Sequence, residues 1–239
     1  MIKGIILDYG GTLDTGGDHW SKVIKDGWDK AGIAVDEALF EESYIAGEKE
    51  LDRVTVILPQ HNFSDLLKIK IQLELQYLAQ TGNFPPAQIE SKAMEVADYC
   101  YNVAKEKTKA VQPILASLSE KYPLVLVSNF YGNIDTVLKD FEIDKYFKKV
   151  IESAKEGVRK PDTGLLEKGI KALGVDPAEI LVIGDSYRND IEPATKLGCQ
   201  TLMLKGREWG DNDCKDKIER SETATIDKLE DIFRFLEGS

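Results

Sequence analysis

The chain of 239 residues predicts an α/β fold: a Rossmann-like parallel sheet core with an inserted α-helical cap domain. Three observations point there. Short apolar runs recur at residues 2–7, 124–127, 149–151, 180–183 and 201–204. Helical patterns lie between the later runs, the alternation that gives a parallel sheet with right-handed crossovers. Between the first run and the second, roughly a hundred residues change to helical character, too long for a loop and therefore an inserted domain.

The elements follow in order. Ile2-Lys3-Gly4-Ile5-Ile6-Leu7 is a buried strand that delivers Asp8 into the glycine-rich turn Tyr9-Gly10-Gly11-Thr12-Leu13, a good setting for a nucleophile. Trp20, Val23, Ile24 and Trp28 recur at helical spacing up to Gly32, which suits a helix C-terminus. Asp36 caps a helix to about Leu51, Ser64 caps another through the Leu66 to Leu78 region, and Pro86 opens a third carrying Met94, Val96, Ala97, Cys100 and Tyr101. The cap aromatics, Trp20, Trp28 and Tyr44 among them, read first as helix-on-helix packing. The stretch from Thr225 to Phe235 reads as a helix packed on the sheet.

Composition narrows the partners. A formal net charge of -11 argues against nucleic acid or an anionic membrane surface. Cys100, Cys199 and Cys214 are an odd, widely spaced set without a C-x-x-C, which fits reduced thiols in a cytoplasmic protein. His19 and His61 lie in separate, loop-like places and read as structural rather than as ligands or bases.

Ligands of parallel sheets bind at the carboxyl ends of the strands. Asp8, Ser128 and Asp185 each stand at such an end, so three polar groups distant in sequence should converge on one edge. Four segments carry this pattern: Asp8-Tyr9-Gly10-Gly11-Thr12, then Leu126-Val127-Ser128-Asn129, then Arg159-Lys160-Pro161-Asp162, then Ile183-Gly184-Asp185-Ser186-Tyr187-Arg188-Asn189-Asp190. In that order they resemble the four motifs of the haloacid dehalogenase (HAD) superfamily, and a helical insert between the first and second is that superfamily's substrate-selecting cap. The resemblance implies a core of residues 1–14 and 110–239 with a cap of residues 15–109. It implies a hydrolase, most simply a phosphatase acting on a small phosphorylated metabolite through an aspartyl-phosphate on Asp8.

Phosphate esters are anionic, so a carboxylate nucleophile needs a cation beside it, and Mg²⁺ is the usual solution. By resemblance, Asp8, Asp185 and the Gly10 carbonyl hold the metal, and Asp190 supports its shell or anchors the lysine. Ser128 and the Asn129 backbone contact the phosphoryl group, and Lys160 offsets its charge.

Gly10 departs from the pattern, for phosphatases of the superfamily usually carry an Asp there as general acid and base. Such help is worth roughly 10²- to 10⁴-fold. Asp14 replaces it only if the turn folds back, and otherwise makes an Asx turn. Dehalogenases and phosphonatases also lack this Asp. The dehalogenases, however, need no metal, and this chain keeps the acidic fourth motif. Phosphonatases use a cap lysine, for which Lys22, Lys25 and Lys49 are available and read as surface residues. The remaining alternatives are a catalytically weakened member that binds a phospholigand or a protein, and a receiver-like binding module, which leaves the cap unexplained.

Overall fold

The computed structural model describes residues 1–209 and 223–237. Cys214 lies outside the described residues. Among the described residues, six strands form one parallel sheet in the order β3-β2-β1-β4-β5-β6, with β1 Gly4–Leu7, β2 Leu124–Ser128, β3 Lys149–Glu152, β4 Ile180–Gly184, β5 Gln200–Leu204 and β6 Ala224–Ile226. The order reverses at β1, which sits centrally, pairing Leu7 with Leu126 of β2 on one side and with Ile183 of β4 on the other.

Alternation along each strand divides the core into two layers. Ile5, Leu7, Leu124, Leu126, Leu181 and Ile183 face a layer continuous with the helical insertion. Ile6, Val125, Val127 and Val182 face the opposite layer, which includes Leu165 and Leu166. Those two leucines lie on the helix Thr163–Leu173, capped by Asp162, whose carboxylate accepts from Gly164 N at 2.8 Å.

Between β1 and β2 lie four helices, α1 Trp20–Lys30, α2 Glu37–Arg53, α3 Phe63–Gln80 and α4 Ile89–Ser119. Asp36 caps α2 by accepting from Leu39 N, and Gly32 follows α1 at φ +70°, a conformation that suits glycine. The cap of α3 is Asn62 rather than Ser64: Asn62 accepts from Asp65 N at 3.0 Å while Asp65 accepts from Asn62 N at 3.2 Å. That reciprocal box satisfies two orphan donors, which Ser64 in the first turn cannot do. Helix α4 starts after a single 3₁₀ turn at Pro86–Gln88 and runs unbroken past residue 110, including Pro113. Among the described residues, no helix is long and apolar enough to cross a membrane.

The chain's last segment differs from expectation. Thr225 and Ile226 belong to strand β6, which pairs with Met203 and Leu204, and only then does a 3₁₀ turn at Leu229–Asp231 lead into α-helix from Ile232. A β-branched pair beside an unpaired sheet edge gains a ladder there, outweighing the helical spacing of the apolar residues.

Candidate functional site

The site is built at the carboxyl edge of the three central strands. Asp8 leaves β1 with its N–H on Ile183 O at 3.0 Å, Ser128 ends β2, and Asp185 follows β4 directly. The turn after Asp8 is tight because Gly11 adopts φ +91°, and a Cβ there would stand 2.3 Å from Asp185 Oδ2. Only glycine lets the two segments approach this closely. Thr12 Oγ1 then donates to Asp185 Oδ1 at 2.9 Å and fixes that carboxylate's rotation.

Asp8, Asp185 and Asp190 each offer a carboxylate oxygen, and these atoms lie within 4.8 Å of one another. Lys160 is the cation among them. Its ammonium, almost wholly buried, is 2.8 Å from Asp8 Oδ1 and 2.6 Å from Asp190 Oδ1, and donates to Val127 O at 3.0 Å. Burial alone would lower the Lys160 pKa, but Asp190 and Asp8 outweigh it and hold the group above its ordinary value. Burial pushes Asp190 up to about 6 against the pull of Lys160. Asp185 is raised well above the carboxylate range by burial, then by Asp190 and Asp8. Three carboxylates and one ammonium leave negative charge in excess, and a hard divalent cation with oxygen ligands fits that donor set.

Lys160 is positioned from its backbone. Asn129 accepts from Lys160 N at 2.8 Å and donates to Lys160 O at 2.9 Å, so its side chain joins the β2 loop to the lysine loop. Asp190 in turn accepts from Ser186 N at 3.1 Å, which closes the fourth segment around its own carboxylate.

Gly10 has no side chain to contribute and space for one. A Cβ would meet only the Trp20 indole, at 3.9 Å, and φ there is not in the left-handed region. Asp14 is fully buried, accepting from Gly11 N at 2.8 Å and from Trp20 Nε1 at 3.0 Å. The turn does fold back, but it ties both Asp14 oxygens into its own scaffold. Burial raises Asp14 to about 8, opposed by those two donors.

A cleft of about 280 Å³ opens over this edge, bordered by Gly10, Gly11, Asn129 and Asp185 on the core and by Trp20, Tyr44, Glu48 and Lys70 on the insertion. A larger cavity of about 430 Å³ lies beside it, shares Asn129 and Arg159, and contains none of the clustered carboxylates. The smaller cleft is therefore the one joined to the chemistry. Tyr9 is turned away into packing, edge-on to Phe130 and Phe63 at 5.6 and 6.2 Å.

Lys22 and Lys25 pair with Glu37 and Asp29, and Lys49 is exposed. The lysine of the cleft is Lys70, on α3. Sequence reading passed over Thr12, Glu48, Lys70 and Tyr131. A signal existed for Lys70, which interrupts the buried stripe Leu66, Leu67, Ile71, Leu75 and Leu78. His19 caps α1, its Nδ1 accepting from Ser21 N at 3.1 Å, and burial, with Lys70 and Lys22 nearby, lowers it to about 4.

The chain is 30% identical to the phosphoglycolate phosphatase of Shigella boydii, over 85% of this chain and 81% of that protein. It is 37% identical to the glyceraldehyde 3-phosphate phosphatase of Pyrococcus abyssi, over 41% of this chain and 40% of the relative, so this match spans less than half of either protein. A solved dehalogenase superposes with a TM-score of 0.65 at 16% identity, over 98% of this chain and 96% of that one, a likeness of fold. The model of haloacid dehalogenase-like hydrolases matches residues 2–198, and the chain belongs to that family.

Proposed function

We infer that this protein is a Mg²⁺-dependent phosphatase of small phosphorylated metabolites, working through Asp8 and slowed by the glycine at position 10. The observation that carries this reading is the convergence of Asp8, Asp185 and Asp190 within 4.8 Å around the buried Lys160. A carbon-halogen hydrolysis needs no divalent cation and leaves that carboxylate excess without a purpose. Relatives named as phosphatases of short phosphorylated acids and aldehydes support the substrate class.

In this reading Asp8 attacks phosphorus, the P–O ester bond breaks, and water then hydrolyses the aspartyl-phosphate. Asp8, Asp185 and the Gly10 carbonyl would hold Mg²⁺, whose bound charge offsets that of the phosphoryl group. Asp190 steadies Lys160, and Lys160 keeps its proton beside Asp8. Ser128 and the Asn129 N–H take phosphoryl oxygens. Residues 15–109 close over the site as a cap on a core of residues 1–14 and 110–239.

Leaving groups of low pKa need no proton as they depart, so aryl phosphates should turn over faster than alkyl ones. The test is rapid mixing of an aryl phosphate with the Mg²⁺-loaded protein. A burst of phenol followed by a slow steady state is expected, because the attacking water also lacks a base. Alkyl phosphate turnover of roughly 10 per second without a burst would show that another residue supplies the acid. Absence of turnover alongside tight binding of Mg²⁺ and of phosphate analogues would favour the second reading that Gly10 permits, a phospholigand-binding member.

A further inference from the structure

The insertion side of the cleft carries charges that the phosphoryl chemistry does not use. Lys70 is 3% exposed, its ammonium in contact with the Glu48 carboxylate and 4.2 Å above the Tyr44 ring. Glu48 comes from α2 and Lys70 from α3. Tyr131, from the loop after β2, donates its hydroxyl to the same Glu48 carboxylate at 3.0 and 3.1 Å. All four residues border the cleft that also contains Gly10 and Asp185. A buried charge such as Lys70 is costly to hold in place, Glu48 is partly buried, and among the described residues neither forms an ion pair with Asp8, Asp185, Asp190 or Lys160.

The pair offers both kinds of hydrogen bond, and burial lowers Lys70 to about 8 against the pull of Glu74, so the ammonium keeps its proton at neutral pH. Lys70 has three N–H donors, of which Glu48 takes one and the Tyr44 face another. Glu48 has about four lone-pair sites, of which Lys70 and Tyr131 occupy part. Glu74, one turn beyond Lys70, is fully buried, and its two carboxylate oxygens have no hydrogen-bond partner among the described residues. Burial raises it to about 8, against the pull of Lys70, so it adds little charge at neutral pH.

A hydroxyl entering here can accept from Lys70 and donate to Glu48. A carboxylate would stand against Glu48, whose partner is already matched, and like charges repel there. An unsubstituted alkyl chain would cover both groups and give nothing back for their lost hydration, the basis on which polar pockets reject analogues lacking a hydroxyl.

The geometry points to Glu48 and Lys70 as the specificity pair of this cleft, selecting phosphate esters whose leaving group is neutral and bears hydroxyls over esters with a carboxylate or a bare alkyl chain. This inference rests on the phosphatase reading for the catalytic end and adds which substrates the cap end accepts. It separates the two activities named for the relatives, favouring the hydroxyaldehyde type over the phosphoglycolate type.

The experiment compares glycerol 3-phosphate, 2-phosphoglycolate and propyl phosphate in two assays. The first is kcat/KM with the wild type and Mg²⁺. The second is the calorimetric Kd on the Asp8→Asn protein, which cannot form the aspartyl-phosphate and leaves ligands intact. Glycerol 3-phosphate should lead both others by at least about tenfold in each assay, and Glu48→Gln should erase most of its lead over 2-phosphoglycolate, because the cation is then unmatched. Equal affinities for glycerol 3-phosphate and propyl phosphate, or a preference for 2-phosphoglycolate in the wild type, would overturn the inference and leave the phosphatase reading standing. If no ester or aryl phosphate is turned over, the phosphatase reading fails, while the three Kd values still decide the selectivity.

Discussion

Replacing Lys160 with Met removes the cation from a buried cluster while keeping the stem's volume. The wild-type ammonium contacts Asp8 at 2.8 Å and Asp190 at 2.6 Å, and both carboxylates are nearly excluded from water. Removing one partner of a buried ion pair costs about 3–5 kcal/mol, because the other charge stays behind without compensation. Here two carboxylates stay behind, with Asp185 beside them. Proton uptake limits the damage. Asp190, already at about 6 with Lys160 present, rises further once that attraction is gone.

The sign of the pH effect follows from linkage. A carboxyl whose pKa is higher in the folded protein than in the unfolded chain holds extra protons when folded, so stability falls as pH rises between the two values. Below about pH 6 Asp190 holds its proton in both folded proteins, so the Lys160→Met penalty should be small near pH 5 and grow as pH rises above 6 toward 8. At about 2–4 °C per kcal/mol for a chain of this length, the melting temperature should drop by about 6–20 °C at pH 8 in EDTA. Mg²⁺ should restore part of the loss, by about 2.7 kcal/mol at a hundred times its Kd. Thermal melts at four pH values, with EDTA and with Mg²⁺, measure all of this. A drop of under about 2 °C at pH 8, flat with pH, would refute the account of the cluster.

Asp8→Asn should abolish hydrolysis with the fold intact, since an amide is no nucleophile; turnover above background in the purified variant would remove Asp8 from that role. Gly10→Asp should raise the alkyl phosphate rate by up to roughly 10²-fold, because a Cβ meets only Trp20 at 3.9 Å and φ there is not left-handed; an unchanged rate with an unchanged melting temperature would show that the position does not reach the leaving group. For Glu74, burial raises the pKa from 4.5 to about 8, so its contribution to stability declines as pH rises from about 4.5 to about 8. Glu74→Gln should remove that decline and gain on the wild type over that window by at most about 5 kcal/mol, and parallel urea titration curves at pH 5 and pH 8 would contradict it.

Most of the sheet was legible because its strands are buried on both faces and so read as continuous apolar runs bounded by turns. Where reading failed, two local signals competed. Asn62 and Ser64 are both good caps two residues apart, and the choice between them depends on Asp65 answering only one. Strand β6 has three residues, too few for a period of two to show against the helical spacing of Ile226, Leu229, Ile232 and Phe233.

The two ends of the cleft were unequally legible for a physical reason. At the end with the three carboxylates, each side chain is placed by its own strand terminus or by a short loop, so its neighbours in sequence announce it. Lys160 is the limiting case, since its place depends on Asn129, 31 residues away. At the cap end nothing local announces the pair. Glu48 meets Tyr131 across 83 residues, and Lys70 reads as one more cation on an amphipathic helix until its stripe proves buried. Lys70 and Glu74 are one turn apart on the same buried face of α3, with Leu67, Ile71 and Leu78 around them. A helix that only packed would place apolar residues at both positions, because a buried carboxyl with no partner weakens the fold. Retaining two ionisable groups there has a stability cost that packing alone does not explain, and the adjoining cleft, which Lys70 borders together with Gly10 and Asp185, is the structural reason for Lys70 to be charged.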